Sequence, residues 1–381
     1  MTSPIMASTS TYLDVLEKII TDVIAPAAPE TDQSGKFPRA ALDAMGAAGL
    51  LGLISAPEVG GMGLSIRQAA MVVQRIAREC GSTAMIVCMQ YAATAVIEGM
   101  GGPREIREAI AAGKHLTTLA FSEAGSRSHF WAPLSTAEGS NGTVVLNAKK
   151  SWATSATQVD SYVWSSRPLG EEGMSTIWLV PGDAAGLQIP APFDGLGLRG
   201  NYSSPVTATN VSIERSAMLG KDGGGFDIMM GVVLPYFQVM NASISIGLAE
   251  ASTSKAVTHV SQANLQHLSQ SLADLPTIRA YISRMRIKTD MAQALLLDTL
   301  TAIETGRADT MLRVLEIKAA AAETALEVTD LAMRVCGGAA FRKEVGVERH
   351  FRDARAASVM APTTDVLYDF IGKAVCGMPL F

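Results

Sequence analysis

The sequence predicts an α+β protein in three successive blocks: an N-terminal α-helical domain over residues 1–115, a central β-domain over 116–220 and a C-terminal helical bundle domain over 221–381. Three observations predict it. Apolar residues recur at helical spacing from Tyr12 to about Ala112. Short β-favouring runs between turn residues fill the stretch from Leu116 to Gly220. Long helical periodicity returns after Gly223-Gly224-Gly225.

In the first block Leu13, Val15, Leu16, Ile19 and Ile20 mark one amphipathic helix, and Ala41, Leu42, Met45 and Leu50 mark another. The segment PEVGGMGLS, Pro57 to Ser65, interrupts them; its glycines supply turn conformations, and Ser65 is placed to cap the next helix. In the second block LTTLAFS, TVVLNAKKSWATS, SYVWSS, STIWLVPG and VTATNVSI read as strands. In the third, Leu312, Leu315, Ala319, Ala322, Leu326 and Val335 form the stripe of a bundle helix.

With 48% hydrophobic residues in 381, the chain has enough apolar surface for a large core. Its 31 Lys and Arg against 36 Asp and Glu contain no basic run, which excludes nucleic acid as a partner. Cys80, Cys88, Cys336 and Cys376 form no CxxC pair and lack His at ligand spacing, so no metal is expected and a cytoplasmic location fits. The N-terminus shows no basic region leading into an apolar one, the pattern of a secretory leader. Ile228 to Ala249 runs 22 residues without a charge, long enough to cross a bilayer. Pro235, Gln238, Asn241, Ser243 and Ser245 within it are costly in lipid, so the stretch reads as a helix packed all round by protein, not as a membrane span.

Several segments carry more specific information. FPRAALDAMGAAGLLGLISAPEVGGMGL precedes FSEAGSRSH, which begins at Phe121; KSWATS follows at Lys150, LGLRG at Leu196, CGGAAF at Cys336 and RDA at Arg352. In this order they resemble the acyl-CoA dehydrogenase family over nearly the whole chain. The resemblance implies an N-terminal α-helical domain, a central β-barrel or sandwich and a C-terminal four-helix bundle. It also implies flavin chemistry on an acyl thioester carried by CoA or a carrier protein. By the same match Ser122 meets the flavin's pyrimidine edge, Trp152 covers one face of the ring and Thr154 approaches N5. Gly337 and Gly338 approach the FAD pyrophosphate of a neighbouring subunit, Thr363 contributes to the cofactor site, and Ser128 lies near the CoA. Arg127 and His129 depart from the family's glycine and aspartate, and Arg127 becomes a candidate substrate ligand with Ser128 and Gln238. FAD is the expected cofactor, with FMN as the second choice. The GG turn together with the uncharged stretch points to a homotetramer or at least a homodimer.

One departure bears on the reaction itself. Relatives follow R-D-A with I-Y-E-G-T, whose glutamate removes the α-proton. The same count from Arg352 places Ala361 there, followed by Pro362 and Thr363. The alternative base position of the family, in Pro235-Tyr236-Phe237-Gln238, also lacks a carboxylate. A positioned general base contributes about two to four orders of magnitude. Its loss favours an oxygen-using reaction first, monooxygenase, dioxygenase or oxidase, with O2 as co-substrate and a flavin reductase as a candidate partner. Second comes α,β-desaturation with the base relocated to Asp365, Glu123 or His129; third, a non-catalytic flavin-binding interaction protein. On this reading Asp365 lies one helical turn beyond Ala361.

Overall fold

The computed structural model describes residues 4–126, 129–140, 142–267 and 269–380, and of residues 4–11 and 140 the backbone alone. The chain forms two compact units: Met1–Val72, Met85–Asp194 and Arg199–Phe237 make the first, and Val73–Ala84, Gly195–Leu198 and Gln238–Phe381 the second.

The first unit opens with α1 (Pro4–Ile19), α2 (Ala25–Ser34) and α3 (Arg39–Ala47). Helices α4 (Ile66–Ala77) and α5 (Gly81–Gly99) follow and share Val73–Ala84 with the second unit; α6 (Arg104–Ala111) closes the helical part. Ser65 caps α4 as its position predicts: its Oγ accepts from the Arg67 N–H at 3.2 Å, while the Gln68 side chain returns to the Ser65 N–H at 3.0 Å. Leu50, Leu51 and Leu53 are fully buried, and Tyr91 of α5 donates to the Leu50 carbonyl at 2.6 Å.

Two four-stranded sheets follow. The strands are β1 (Thr117–Ala120), β2 (Thr136–Ser140), β3 (Thr143–Ala153), β4 (Ser161–Ser166), β5 (Thr176–Pro181), β6 (Leu187–Gln188), β7 (Ser204–Glu214) and β8 (Met218–Leu219). One sheet runs β1-β4-β5-β8, with β1 parallel to β4; the other runs β2-β3-β7-β6, antiparallel throughout. Their inner faces share a core that includes Val144, Leu146, Trp164, Trp178, Val206 and Val211, the layout of a β-sandwich. The five runs read as strands from their composition are β1, β3, β4, β5 and β7. The sixth long strand, β2, has the sequence TAEGS and no apolar alternation; it is a strand because β3 offers it an edge, not through its own propensity.

After α7 (Gly225–Ile228), the second unit takes up α8 (Leu234–Gln262) from Gln238 and adds α9 (Pro276–Thr305), α10 (Thr310–Cys336), α11 (Val347–Val359) and α12 (Thr364–Val375). Ala249, Val260, Met285, Val328, Leu331, Val335 and Val347 are its core. The apolar helix spanning Gly225–Gln262 is long enough to cross a membrane, yet 78% of its most apolar window is buried in the protein. Gly247 lets α8 come close: a Cβ there would stand 2.5 Å from the Gln74 carbonyl oxygen. One expectation needs correction. Asp365 is not one helical turn beyond Ala361, because α11 ends at Val359 and α12 begins only at Thr364. Pro362 disfavours helical backbone at the residue before it, so Ala361 lies in the turn between the two helices.

The end of α6 shows how tightly the first unit is built. Lys114 N–H donates to Ala109 O at 2.8 Å and Gly113 N–H to Ile110 O at 2.9 Å, a Schellman pair that places Gly113 at φ +68°. A Cβ on Gly113 would also stand 2.4 Å from the Cα of Gly46 in α3. Gly113→Ala therefore adds left-handed strain to a backbone clash and is expected to cost about 2–4 kcal/mol. Urea denaturation showing a loss below about 1 kcal/mol would contradict this packing.

Candidate functional site

In the first unit, the loop after β1 is laid against β3. Ser151 N–H donates to the Ser122 carbonyl at 2.9 Å, Ala124 N–H donates to Lys149 O at 3.3 Å, and Glu123 pairs with Lys150 in bridge fashion. The two side chains of that bridge form a buried ion pair, Lys150 Nζ to Glu123 Oε1 at 2.6 Å, with the residues 1% and 4% exposed. Its remaining valences are met. Lys150 also donates to Ser165 O and Oγ at 2.8 and 3.0 Å. Glu123 accepts from Ser135 Oγ at 2.6 Å and from the Leu134 and Ser135 N–H groups at 2.5 and 3.0 Å. Burial pushes the Glu123 carboxyl up, but the Lys150 charge and these hydrogen bonds more than offset it and hold it below its ordinary value. Burial pulls the Lys150 ammonium down against the attraction of Glu123.

This clamp sets Ser122 beside the end of β3, where Trp152 and Thr154 stand. Trp152 is 59% exposed, although it is the largest apolar side chain of the strand, and it packs on Phe193 with ring centroids 4.1 Å apart. Thr154 is buried, and the next residue, Ser155, carries a buried hydroxyl that has no partner among the described residues. An uncovered aromatic pair on a strand whose end carries the Thr154 hydroxyl suits a planar heteroaromatic ring that offers hydrogen bonds along its edge. The residues of this cradle therefore fit a flavin. His129 lies on the same loop but is exposed, its Nδ1 3.3 Å from the Ser126 carbonyl and its ring edge-on to Trp131. Arg127 and Ser128 lie outside the described residues.

In the second unit, the Met360–Pro362 turn is held from α10. Lys318 Nζ donates to the Met360 carbonyl at 2.9 Å and to the Pro362 carbonyl at 2.7 Å. Ala361 sits between those two carbonyls, partly buried. Asn241 Nδ2 lies 3.4 Å from Met360 Sδ, and Gln238 is one turn before Asn241 on α8. Thr363 takes the N-cap position of α12, while Asp365 is in its first turn and exposed. Burial alone pulls the Lys318 ammonium down to about 7.

Gly337 and Gly338 do not join this turn. Gly337 caps α10 at φ +56° and ψ −140°, nineteen positions beyond Lys318 and about 28 Å along the axis. Among the described residues, a Cβ on either glycine would meet nothing within 4 Å, so the turn is open to an approaching group.

Sequence reasoning missed two of these residues. Lys318 shares the helix face of Leu315 and Ala322, so a lone cation on an apolar stripe was the available signal. Asn241 was visible only as one of several polar residues in an apolar helix. Arg352 and Asp353, matched as part of RDA, anchor a distant segment of chain. Asp353 Oδ1 accepts from Leu198 N–H at 2.6 Å, and Arg352 donates to Leu196 O at 3.1 Å.

The N-terminal, middle and C-terminal domains of acyl-CoA dehydrogenases match residues 8–110, 118–211 and 223–376 respectively, and the chain belongs to the acyl-CoA dehydrogenase family. It is 26% identical to the cyclohex-1-ene-1-carbonyl-CoA dehydrogenase of Geobacter metallireducens over 95% of this chain and 96% of that protein. It is 28% identical to the human mitochondrial short-chain specific acyl-CoA dehydrogenase over 90% and 83%. The fold is that of butyryl-CoA dehydrogenase from Megasphaera elsdenii, with a TM-score of 0.90 at 20% identity over 99% of both chains. The chain is thus a flavin-dependent oxidoreductase of the acyl-CoA class, and FAD is the cofactor of that class.

Two expectations follow from the buried lysines. Glu123→Gln leaves the Lys150 ammonium buried without a counter-charge and is expected to cost about 3–5 kcal/mol in urea denaturation. A loss under 1 kcal/mol would show that the pair holds nothing. For Lys318, a folded pKa of about 7 against an ordinary 10.5 means that the unfolded chain binds more protons between those values. The stability this group contributes is full above 10.5 and is lost as pH falls toward 7, so stability rises with pH across that window. Lys318→Met should flatten the rise, and a stability–pH curve unchanged by the substitution would refute the assignment.

Proposed function

We propose that the chain dehydrogenates an acyl thioester, with FAD as the immediate electron acceptor. The observation that carries this reading is the intact cradle on the first unit, Ser122, Trp152 and Thr154, fixed by the Lys150–Glu123 clamp. The relatives named above support it, since each is called a dehydrogenase of a CoA thioester. They favour the desaturation placed second on sequence grounds over the oxygen-using reaction placed first.

Bound in that cradle, the flavin supplies the hydride acceptor. The chain's part is to position and to exclude. Trp152 offers a face against which a ring stacks, Thr154 and Ser122 offer hydrogen bonds at its edge, and the ion pair prevents loop and strand from separating. As the hydride leaves the β-carbon, the α-proton would pass to water or to His129, the exposed imidazole on the cradle's loop, because residue 361 is alanine and cannot take it. Glu123 is no substitute, because both its carboxylate oxygens already accept hydrogen bonds and one faces the Lys150 ammonium. The oxygen-using reaction stays as the second reading, favoured by the absence of a carboxylate at Ala361 and at Phe237-Gln238.

One experiment separates the two. The flavin-loaded protein is mixed anaerobically with a panel of acyl-CoA thioesters while flavin absorbance is followed. Bleaching by at least one thioester is the expected result, and Ala361→Glu should accelerate it with a saturated acyl-CoA by about two to four orders of magnitude. No bleaching without oxygen, together with oxygen uptake during turnover, would overturn dehydrogenation in favour of the second reading.

A further inference from the structure

Gln238 and Asn241 are 0% and 1% exposed and stand three residues apart on α8, hence on one face of the helix. Among the described residues, both oxygen and nitrogen of the Gln238 amide are buried without a hydrogen-bond partner, as is Oδ1 of Asn241. Protein interiors rarely leave such groups unmet, and an apolar residue at either position would have avoided the cost. Exchanging oxygen and nitrogen of either amide leaves the inventory the same: Gln238 offers one acceptor and one donor group, and Asn241 adds another hydrogen-bonding atom.

The surroundings narrow what can meet these groups. Asn241 touches Met360, the residue before Ala361, and the carbonyls on both sides of Ala361 are held by Lys318. Among the described residues, Lys318 forms no ion pair. An ammonium group on the ligand would bring a second cation to this lysine. A carboxylate accepts but cannot donate, and would leave the amide acceptors unmet. A plain hydrocarbon chain would satisfy nothing. A hydroxyl does both, donating to one amide oxygen and accepting from the Gln238 nitrogen.

We propose that Gln238 and Asn241 bind a hydroxyl group on the acyl portion of the substrate, so that hydroxyacyl thioesters are selected over their unsubstituted counterparts. This rests on the reading of the chain as an acyl-thioester dehydrogenase and names the class of acyl group. A site built to hydrogen-bond a substrate hydroxyl discriminates strongly against the analogue without it, because the buried amides are then left unpaired.

The test compares 2-hydroxybutyryl-, 3-hydroxybutyryl- and butyryl-CoA as anaerobic reductants of the flavin-loaded protein, by kcat/KM. At least one hydroxyacyl thioester should be preferred over butyryl-CoA by about a hundredfold or more. In Gln238→Met and in Asn241→Leu the preference should fall at least tenfold. The thermal midpoint of each variant should stay level or rise, since an unpartnered amide gives way to an apolar group of similar size. A purely structural role predicts the reverse, a lower midpoint with the preference intact, and that result overturns the proposal. Reduction by butyryl-CoA as fast as by the hydroxyacyl thioesters overturns it as well while leaving the dehydrogenase reading standing. Failure of all three, and of the wider thioester panel, removes both. Should one variant not fold, the wild-type ratio and the other variant still decide.

Discussion

The ion pair between Lys150 and Glu123 is the constraint on which the loop after β1 and its junction with β3 depend. Desolvating two charges is expensive, and a lone pair of them would add little to stability. Here Ser135, Ser165 and two backbone N–H groups meet the remaining hydrogen-bonding capacity, so the charges stay ionised inside the β-sandwich. The gain is positional. Glu123 belongs to an irregular loop and Lys150 to a regular strand, and joining them transfers the rigidity of β3 to the loop. Ser122 and Ser151 are the neighbours on either side of that joint, and Trp152 follows directly.

Lys318 solves a different problem with the same chemistry. Its ammonium faces two carbonyls and, among the described residues, no carboxylate, so what it fixes is a path of main chain. Carbonyl dipoles stabilise a cation less than a carboxylate does, which is why burial draws this lysine toward neutrality. Where Glu123 shares its charge with a partner, the Ala361 turn is held by a group that is close to losing its own. The turn is thereby kept in shape by one ammonium and two carbonyls.

How much of this the sequence discloses depends on the range of the interaction. The fold was legible because helical and strand periodicities are local, and β4 coincides with the run SYVWSS read from composition. Strand β2 was not, because TAEGS becomes a strand only through its neighbour. Motifs offer Ser122, Trp152 and Thr154 as candidates, yet the ion pair that joins their loop to their strand links residues 27 apart, and pairing at that distance leaves no mark in the local pattern. Lys318 and the turn it holds are 42 and 44 residues apart. The mistaken helical spacing from Ala361 to Asp365 has the same origin in reverse: a local rule was extended through Pro362, where the backbone cannot follow it.

The contact of Gly46 with Gly113 also limits how this lineage can vary. A Cβ on Gly46 would stand 2.7 Å from the carbonyl oxygen of Gly113, and one on Gly113 would stand 2.4 Å from the Cα of Gly46. Both obstacles are backbone, which no second substitution can trim. Compensatory drift, the usual escape for a packed pair of side chains, is therefore closed at this site. The two positions can change only if α3 and the end of α6 move apart, so descendants of this chain should keep both glycines or show an altered spacing between those helices.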